Sequence, residues 1–558
     1  MMRSVRRSPS STSASATVAR GRWVVTRAAI RRATAVAMSM ATAIAGVAVA
    51  QGAVPPDRGD LARGYQRFDA LAVRAPDDPV TRRTLNLGFD GLTADFFAGR
   101  YGRALEQLAR IEADHRGVGE DARAGLAFLA THRVEQLPAV VQLVDGVPAS
   151  LRIRVVPLAD ASASARDLGR PRDDAATGES LGPRSLTVSC GDFSIEIPVS
   201  EAARADGAVV TLGPGCRAGA IVTRAELPQL GSCEVSRSWA TTASLETRAA
   251  ELRARATAVD FGRFEPSVQA SFFGRLALLP LSGVDRTRSA TLLCDVPRLL
   301  RELDAELDAL TRGSNPYARR GELWRVYRAL GVELPTRQFV PEGAGPFPLV
   351  VAFHGAGGDE NMFFDGYGAG MLRELAQKQG FAVVCPPTVP FGLSGALFDR
   401  FIDEVAKDMP IDRGRILLLG HSMGAITASR LAGLRADAVA GAACIAGFLD
   451  ASRGGMSAPR AVYLGALDPI FPIEPIRVQI AAARGPQSVI EVVTFDHEGH
   501  TLVVDRALPQ TVDWLLARPA RTTDTTKPTI SAPSTRPMNT GVPAPAAIES
   551  SPSAGPTK

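Results

Sequence analysis

One short stretch, Arg415-Ile-Leu-Leu-Leu-Gly-His-Ser-Met-Gly-Ala425, limits the folds open to this chain more than any other. Ile416 to Leu419 is an uninterrupted apolar run, as a parallel strand buried on both faces requires. The run stops at Gly420-His421-Ser422-Met423-Gly424, and Ala425, Ile426, Ala428, Leu431 and Ala432 follow at helical spacing. A strand, a sharp turn and a helix are thus packed around one serine. The turn is too tight for side chains at its flanks, so both flanks are glycine, and the Ser422 hydroxyl projects above the carboxyl edge of the sheet. The helix that starts there offers free N–H groups and the positive end of its dipole to a developing anion. Ser422 is the candidate nucleophile; the competing reading is a plain Gly-rich strand-to-helix turn.

A chain of 558 residues has room for about two to four domains. Its 46% hydrophobic and 22% charged residues describe a globular protein. The formal charge of +5 misleads. Of 63 basic residues, eight Arg stand in residues 1–50 beside no acid, which leaves 55 basic against 58 acidic residues in the remainder. That balance carries no nucleic-acid footprint. The Arg-rich start is followed by the uncharged run Ala33 to Ala50, ending Ala48-Val49-Ala50 before Gln51. Such a pattern predicts a signal peptide over 1–50, cut after Ala50, and a secreted or periplasmic location. The apolar run is near the lower length of a membrane span, so an uncleaved membrane anchor is the competing expectation. No other segment reads as a span.

Residues 59–135 carry apolar positions three and four apart (Leu61, Tyr65, Phe68, Leu71; Leu85, Leu92, Phe96; Leu105, Leu108, Ile111) and read as helical. Phe96 to Leu108 resembles one half of a tetratricopeptide hairpin, but no repeat accompanies it, so a plain helical hairpin is expected. Over 137–236 the pattern changes to alternation and β-branched runs, which predicts a small sandwich or an open sheet with a polar loop at about 160–184. Helical spacing returns over 240–332, and Trp324 is expected on the apolar face of a helix. From 335 to 518 continuous apolar strands alternate with helices. The fold class is therefore α/β: a doubly wound, mostly parallel sheet, preceded by a helical region with an inserted β-rich module. The Pro-, Ser- and Thr-rich tail, 519–558, holds too little apolar surface to order itself. Cys385 and Cys444 lie in apolar runs and are expected to be inert buried thiols. Cys190, Cys216 and Cys233 share the β-like region, where one disulfide is expected after export. No Cys/His spacing predicts a metal site.

A serine hydroxyl needs a base to take its proton and a carboxylate to orient that base. Of the six His (115, 132, 354, 421, 497, 500), two lie far upstream and His421 is fixed inside the turn. His354 opens a Gly-rich loop. The loop after the last strand, Phe495-Asp-His-Glu-Gly-His-Thr501, holds the remaining two, and His500 is preferred over His497 because it precedes the final helix. Asp468, in Gly465-Ala-Leu-Asp-Pro469, leaves the penultimate strand within reach of that loop. Asp450 and Asp496 are rivals, and helix capping is the alternative role for Asp468. The loop His354-Gly-Ala-Gly-Gly358 brings backbone N–H groups close to a substrate oxygen. With the amide of Met423, that of Gly355 or Ala356 would form an oxyanion hole, each donor worth about 3–4 kcal/mol. A phosphate loop would need a following Lys and Thr or Ser, which are missing.

On His354-Gly-Ala-Gly-Gly, Gly420-His-Ser-Met-Gly, Asp468 and His500, residues 335–518 resemble the α/β-hydrolases of the secreted esterase kind. The polyhydroxybutyrate depolymerase, feruloyl esterase and carboxylesterase families are the similar groups. The resemblance implies a Ser-Asp-His triad, an acyl-enzyme, no cofactor, and a small-molecule or polymer-linked ester as substrate. No long insertion follows Cys444-Ile-Ala-Gly, so no lid is expected, and the upstream region 59–332 could roof the site. A peptidase resembling the prolyl oligopeptidases is one rival, although 137–236 is too short and unrepetitive for a propeller. A non-catalytic scaffold with a hydrolase fold is the other.

Overall fold

The structure is a computed structural model that describes residues 53–159, 182–281, 295–392, 394–450, 457–485 and 488–521. The expected signal segment, most of the polar loop at 160–184, Cys294 and the tail beyond 521 lie outside the described residues. Helix signals act where they stand. The Asp57 carboxylate accepts the N–H groups of Gly59 and Asp60 and starts α1 (Arg58–Arg74). Asp78 caps α2 (Pro79–Phe97) in the same way, with Pro79 at the first helical position. The chain turns over 98–100 into α3 (Tyr101–Arg116), which ends at Gly117 in the left-handed region, and α4 (Glu120–Thr131) follows. The expected hairpin is thus one pair within a four-helix group. Phe68, Leu85, Phe89, Leu92, Ala104 and Leu108 form its core, together with Leu502 from far along the chain.

Strands replace helix from His132, earlier than the expected 137. The strands β1 (His132–Leu137), β3 (Ala149–Pro157) and β6 (Ala208–Leu212) make one sheet. β2 (Val140–Gln142), β4 (Ser185–Cys190), β5 (Phe193–Pro198), β7 (Gly219–Leu227) and β8 (Gly231–Thr241) make a second, in the order β2-β8-β7-β4-β5. Their inner faces share one apolar cluster, Leu151, Ile153, Val155 and Val210 against Leu186, Val188, Ile221 and Ala225, so the module is a sandwich. A disulfide joins Cys190 to Cys216, while Cys233, Cys385 and Cys444 are free thiols.

Helices α5 (Leu245–Ala256), α6 (Pro266–Leu276) and α7 (Val296–Thr311) follow. The expectation of helix to residue 332 is corrected here. Trp324 lies on a strand, β9 (Gly321–Ala329), which pairs antiparallel with β10 (Val332–Val340). Leu330 and Gly331 between them both have positive φ, 49° and 79°, the turn that suits the twist of a two-residue hairpin. Leu323, Arg325, Tyr327 and Ala329 are buried at a period of two. The indole N–H of Trp324 donates to Glu360.

The hairpin opens an eight-stranded sheet with β11 (Phe347–Phe353), β12 (Ala382–Cys385), β13 (Ile411–His421), β14 (Val439–Ile445), β15 (Arg460–Gly465) and β16 (Ile490–Phe495), in the order β16-β15-β14-β13-β11-β12-β10-β9. β10 is antiparallel to β12, and the strands from β12 through β16 are parallel to their neighbours. Alternate residues of β11 face opposite ways. Leu349, Val351 and Phe353 pack under α9 (Gly395–Asp408) and α10 (Met423–Leu434). Val350 and Ala352 pack under α8 (Met371–Gln379) and α12 (Val503–Leu516). On the first side α11 (Ile473–Ala483) covers Val462 and Leu464. The sheet is wound on both faces, and all parallel strands end at one rim. Among the described residues no helix is long and apolar enough to cross a membrane.

Candidate active site

At the rim end of β13 the backbone reverses at Ser422, with φ 56° and ψ −117°. Such a conformation costs a non-glycine residue about 1–3 kcal/mol and persists only where its surroundings fix it. Here the Ser422 N–H donates to the Ile445 carbonyl of β14 at 2.9 Å, and the Ser422 carbonyl accepts the Ile426 N–H at 3.1 Å. A Cβ on Gly420 would sit 2.2 Å from the Gly424 carbonyl oxygen, and one on Gly424 would sit 1.9 Å from that of Phe353. Both glycines are therefore fixed by close approach of backbone.

The structure brings Ser422, Asp468 and His500 together. His500 Nε2 lies 3.0 Å from Ser422 Oγ, and its Nδ1 lies 2.8 Å from Asp468 Oδ2. A carboxylate accepts only, so Nδ1 carries the proton and Nε2 is free to accept that of Ser422. The other Asp468 oxygen accepts the N–H groups of Ile470 and Phe471, both at 2.8 Å. Asp468 therefore has the capping role and the histidine contact at once. Phe471 stacks against the imidazole with ring centroids 5.8 Å apart. The rivals stand elsewhere: Asp450 pairs with Arg460, Asp496 is exposed, and His497 contributes its backbone carbonyl to Asn86.

The expected oxyanion donors separate. The Gly355 N–H donates to the Tyr367 hydroxyl at 3.2 Å, so of the two alternatives in that loop this amide is already engaged and does not fit the oxyanion role expected of it. Ala356 is exposed, and among the described residues no hydrogen bond takes its amide. Met423 is the first residue of α10, where an N–H has no partner within the helix. Met423 and Ala356 are the available pair.

His421 explains where Tyr367 turns. Burial pushes its imidazole down to about 3, so it is neutral. Its Nε2 lies 3.0 Å from the His500 carbonyl, which can only accept, so Nε2 carries the proton. Nδ1 then accepts from the Tyr367 hydroxyl at 2.7 Å. One chain of hydrogen bonds thus runs from Gly355 through Tyr367 and His421 to the backbone of His500. His354 braces the same loop. Its Nδ1 donates to the Gly355 carbonyl, its Nε2 accepts from the Thr388 N–H, and burial lowers its pKa.

Sequence reading missed a second group entirely. From α2, Arg82 donates to both oxygens of Glu498 at 2.6 and 2.7 Å. Asn86 donates to the His497 carbonyl at 3.1 Å and to Glu498 at 2.8 Å, and accepts the Gly499 N–H at 2.7 Å. Asp90 accepts the His500 N–H at 2.9 Å. The only signal was a four-residue spacing of polar residues beside the apolar stripe of Leu85, Phe89 and Leu92. Elsewhere at the rim, Arg58 pairs with Asp359, and Asp69 accepts the Ala369 N–H at 2.6 Å. A Cβ on Gly357 would sit 2.6 Å from the Phe96 ring. The helical region therefore lies against both the histidine loop and the Gly-rich loop.

Residues 349–535 match the family described as the alpha/beta hydrolase family. No curated protein matches the chain. Among solved structures, the chain is similar to the S-formylglutathione hydrolase of Staphylococcus aureus, at 14% identity over 36% of this chain and 98% of that one, with a TM-score of 0.30. It is similar to a feruloyl esterase module from Clostridium thermocellum at 14% identity over 35% and 89%, and to esterase 2 of Thermogutta terrifontis at 15% over 35% and 94%, each with a TM-score of 0.29. The family match on residues 349–535 and the strand order described above give the C-terminal part of this chain an α/β-hydrolase fold.

Proposed function

We propose that the protein is an exported serine hydrolase acting on small-molecule or polymer-linked carboxylic esters. The proton of Ser422 Oγ passes to His500 Nε2 as Oγ bonds to the ester carbonyl carbon, and the N–H groups of Met423 and Ala356 receive the oxyanion. Asp468 holds the proton on Nδ1 and stabilises the imidazolium. Collapse of the intermediate expels the alcohol, which takes its proton from His500 and leaves an acyl group on Ser422. Water, deprotonated by the same imidazole, then releases the acid and restores the serine.

The observation that carries this reading is the unbroken contact Asp468–His500–Ser422, with the serine held at a strained apex. Export is supported by the sequence of residues 1–50 and by the Cys190–Cys216 disulfide, a bond of oxidising compartments. A fluorophosphonate probe should label Ser422, and short-chain nitrophenyl esters should turn over where peptide amides do not. Ser422→Ala should lower kcat roughly a million-fold. Near wild-type turnover by that variant, or no label on Ser422, removes the proposal.

A further inference from the structure

Helix α2 carries a polar stripe beside its apolar one. Arg82, Asn86 and Asp90 stand four residues apart, on one face, and all three are buried. Their hydrogen bonds cross 410 to 416 residues of sequence to reach residues 497–500. That loop leaves β16, the edge strand of the sheet, so no further strand supports it. Both backbone groups of His500 are held by side chains instead. Its N–H is held by Asp90 and its carbonyl by His421, while the imidazole reaches Asp468 and Ser422. A Cβ on Gly499 would lie 1.9 Å from the Asp90 carboxylate oxygen, so the approach depends on glycine at 499.

We infer that Asp90, supported by Asn86, is a positioning residue for His500, which makes the N-terminal helical region part of the catalytic apparatus. The inference rests on the proposed role of His500 as base. Asp90 acts through the backbone of the base and does not reach the reacting atoms. Beside the His500 N–H, the Asp90 carboxylate interacts with the backbone amide of Thr501, the next residue of the same loop. A shift of about 1 Å at a reacting group lowers a rate about a hundredfold, so small errors in this loop register in kcat.

The test uses the full chain, with sites titrated by fluorophosphonate and kcat and KM measured on a short-chain nitrophenyl ester. Asp90→Ala is expected to lower kcat per titrated site roughly 30- to 100-fold with KM within about twofold. Asp90→Asn keeps an oxygen that accepts the His500 N–H, and is expected to recover at least about tenfold of that loss. A residue that only stabilised the fold would lower Tm and the titratable fraction while kcat per site stayed put. Asp90→Ala within about threefold of wild-type kcat overturns the inference, as does Asp90→Asn no better than Asp90→Ala. If Asp90→Ala does not fold, Asn86→Ala decides, with a loss of about tenfold in kcat per site expected and an unchanged value overturning it. Failure of the base assignment itself looks different: His500→Ala then keeps wild-type kcat per titrated site.

Discussion

Gly499→Ala adds one methyl group where the histidine loop meets α2. Its Cβ would stand 1.9 Å from Asp90 Oδ2, 2.9 Å from Asp90 Cγ and 3.1 Å from Asn86 Oδ1. Ordinary contact begins at 3.4 Å, so the overlap with the carboxylate oxygen is about 1.5 Å. The Gly499 backbone does not occupy the left-handed region, so the added side chain brings no conformational strain of its own. Relief requires the loop to retreat or Asp90 to turn away, and in either case the His500 N–H loses its acceptor. Overpacking costs about 1–3 kcal/mol, and a hydrogen bond to a charged acceptor is worth about 1.5–3 kcal/mol. A stability loss of about 3–6 kcal/mol and a fall in kcat of about a hundredfold are expected. A double-mutant cycle isolates the cause. With Asp90→Ala in place the methyl has room, so Gly499→Ala should then lower kcat less than about fivefold, a coupling near 2 kcal/mol. If the two substitutions multiply independently in kcat, the clash is not the reason for glycine at 499 and the reasoning fails.

Burial pushes the Asp505 carboxyl up to about 7, and those of Asp69 and Asp90 up to about 6. A carboxyl raised on folding holds a proton that the unfolded chain releases near pH 4. Its stabilising contribution is therefore complete below about pH 4 and lost as pH rises through about 7, in all about 4 kcal/mol for Asp505. Asp505→Asn should lose less stability than wild type between pH 5 and 8 in chemical denaturation; identical losses would refute the assignment. Tyr367→Phe leaves the Gly355 N–H and His421 Nδ1 buried without their partner, at about 1–3 kcal/mol each. Both Tm and kcat should fall, kcat by about tenfold, and a variant unchanged in both would show that the tyrosine link is idle. Replacing Cys190 and Cys216 by serine opens a loop with a sequence separation of 26 and should cost the β-sandwich about 3 kcal/mol in denaturation while kcat holds. A changed kcat would show that the sandwich couples to the site.

The central strands of the C-terminal sheet were legible because they are buried on both faces. Phe347–Phe353 and Val439–Ile445 are unbroken apolar runs, and the helices between them keep a separate period. Chain order then narrows the chemistry, since the loops after β13, β15 and β16 all open at one rim. The β9–β10 hairpin was not legible for a physical reason. Arg325 is fully buried between Tyr317 and Tyr327, 4.8 and 4.3 Å from their ring centroids, and paired with Asp408. A charge on the inward face hides the alternation that marks a strand, and Leu330-Gly331 was the remaining clue. The engaged Gly355 amide escaped because it depends on Tyr367, whose hydroxyl direction is set by packing. The α2 stripe escaped because a polar residue on a helix ordinarily faces water, and nothing local names a partner beyond residue 490.

Arg82 faces Glu498 at hydrogen-bond distance and Asp505 at 3.5 Å, within a setting that also buries Asp69 and Asp90. Acids outnumber the base, and buried ion pairs seldom repay their desolvation. Adhesion must then come from apolar contacts: Leu502 in the cluster of Phe68, Leu85 and Phe89, and the Phe96 ring against Gly357. Apolar contact is non-directional and would tolerate α2 sliding by a fraction of a turn. The polar stripe does not tolerate it, because a shift of one residue rotates Arg82, Asn86 and Asp90 away from four backbone and carboxylate groups at once. Division of labour follows. The apolar cluster keeps the helix on the hydrolase domain, and the polar stripe fixes the register within which His500 meets Ser422.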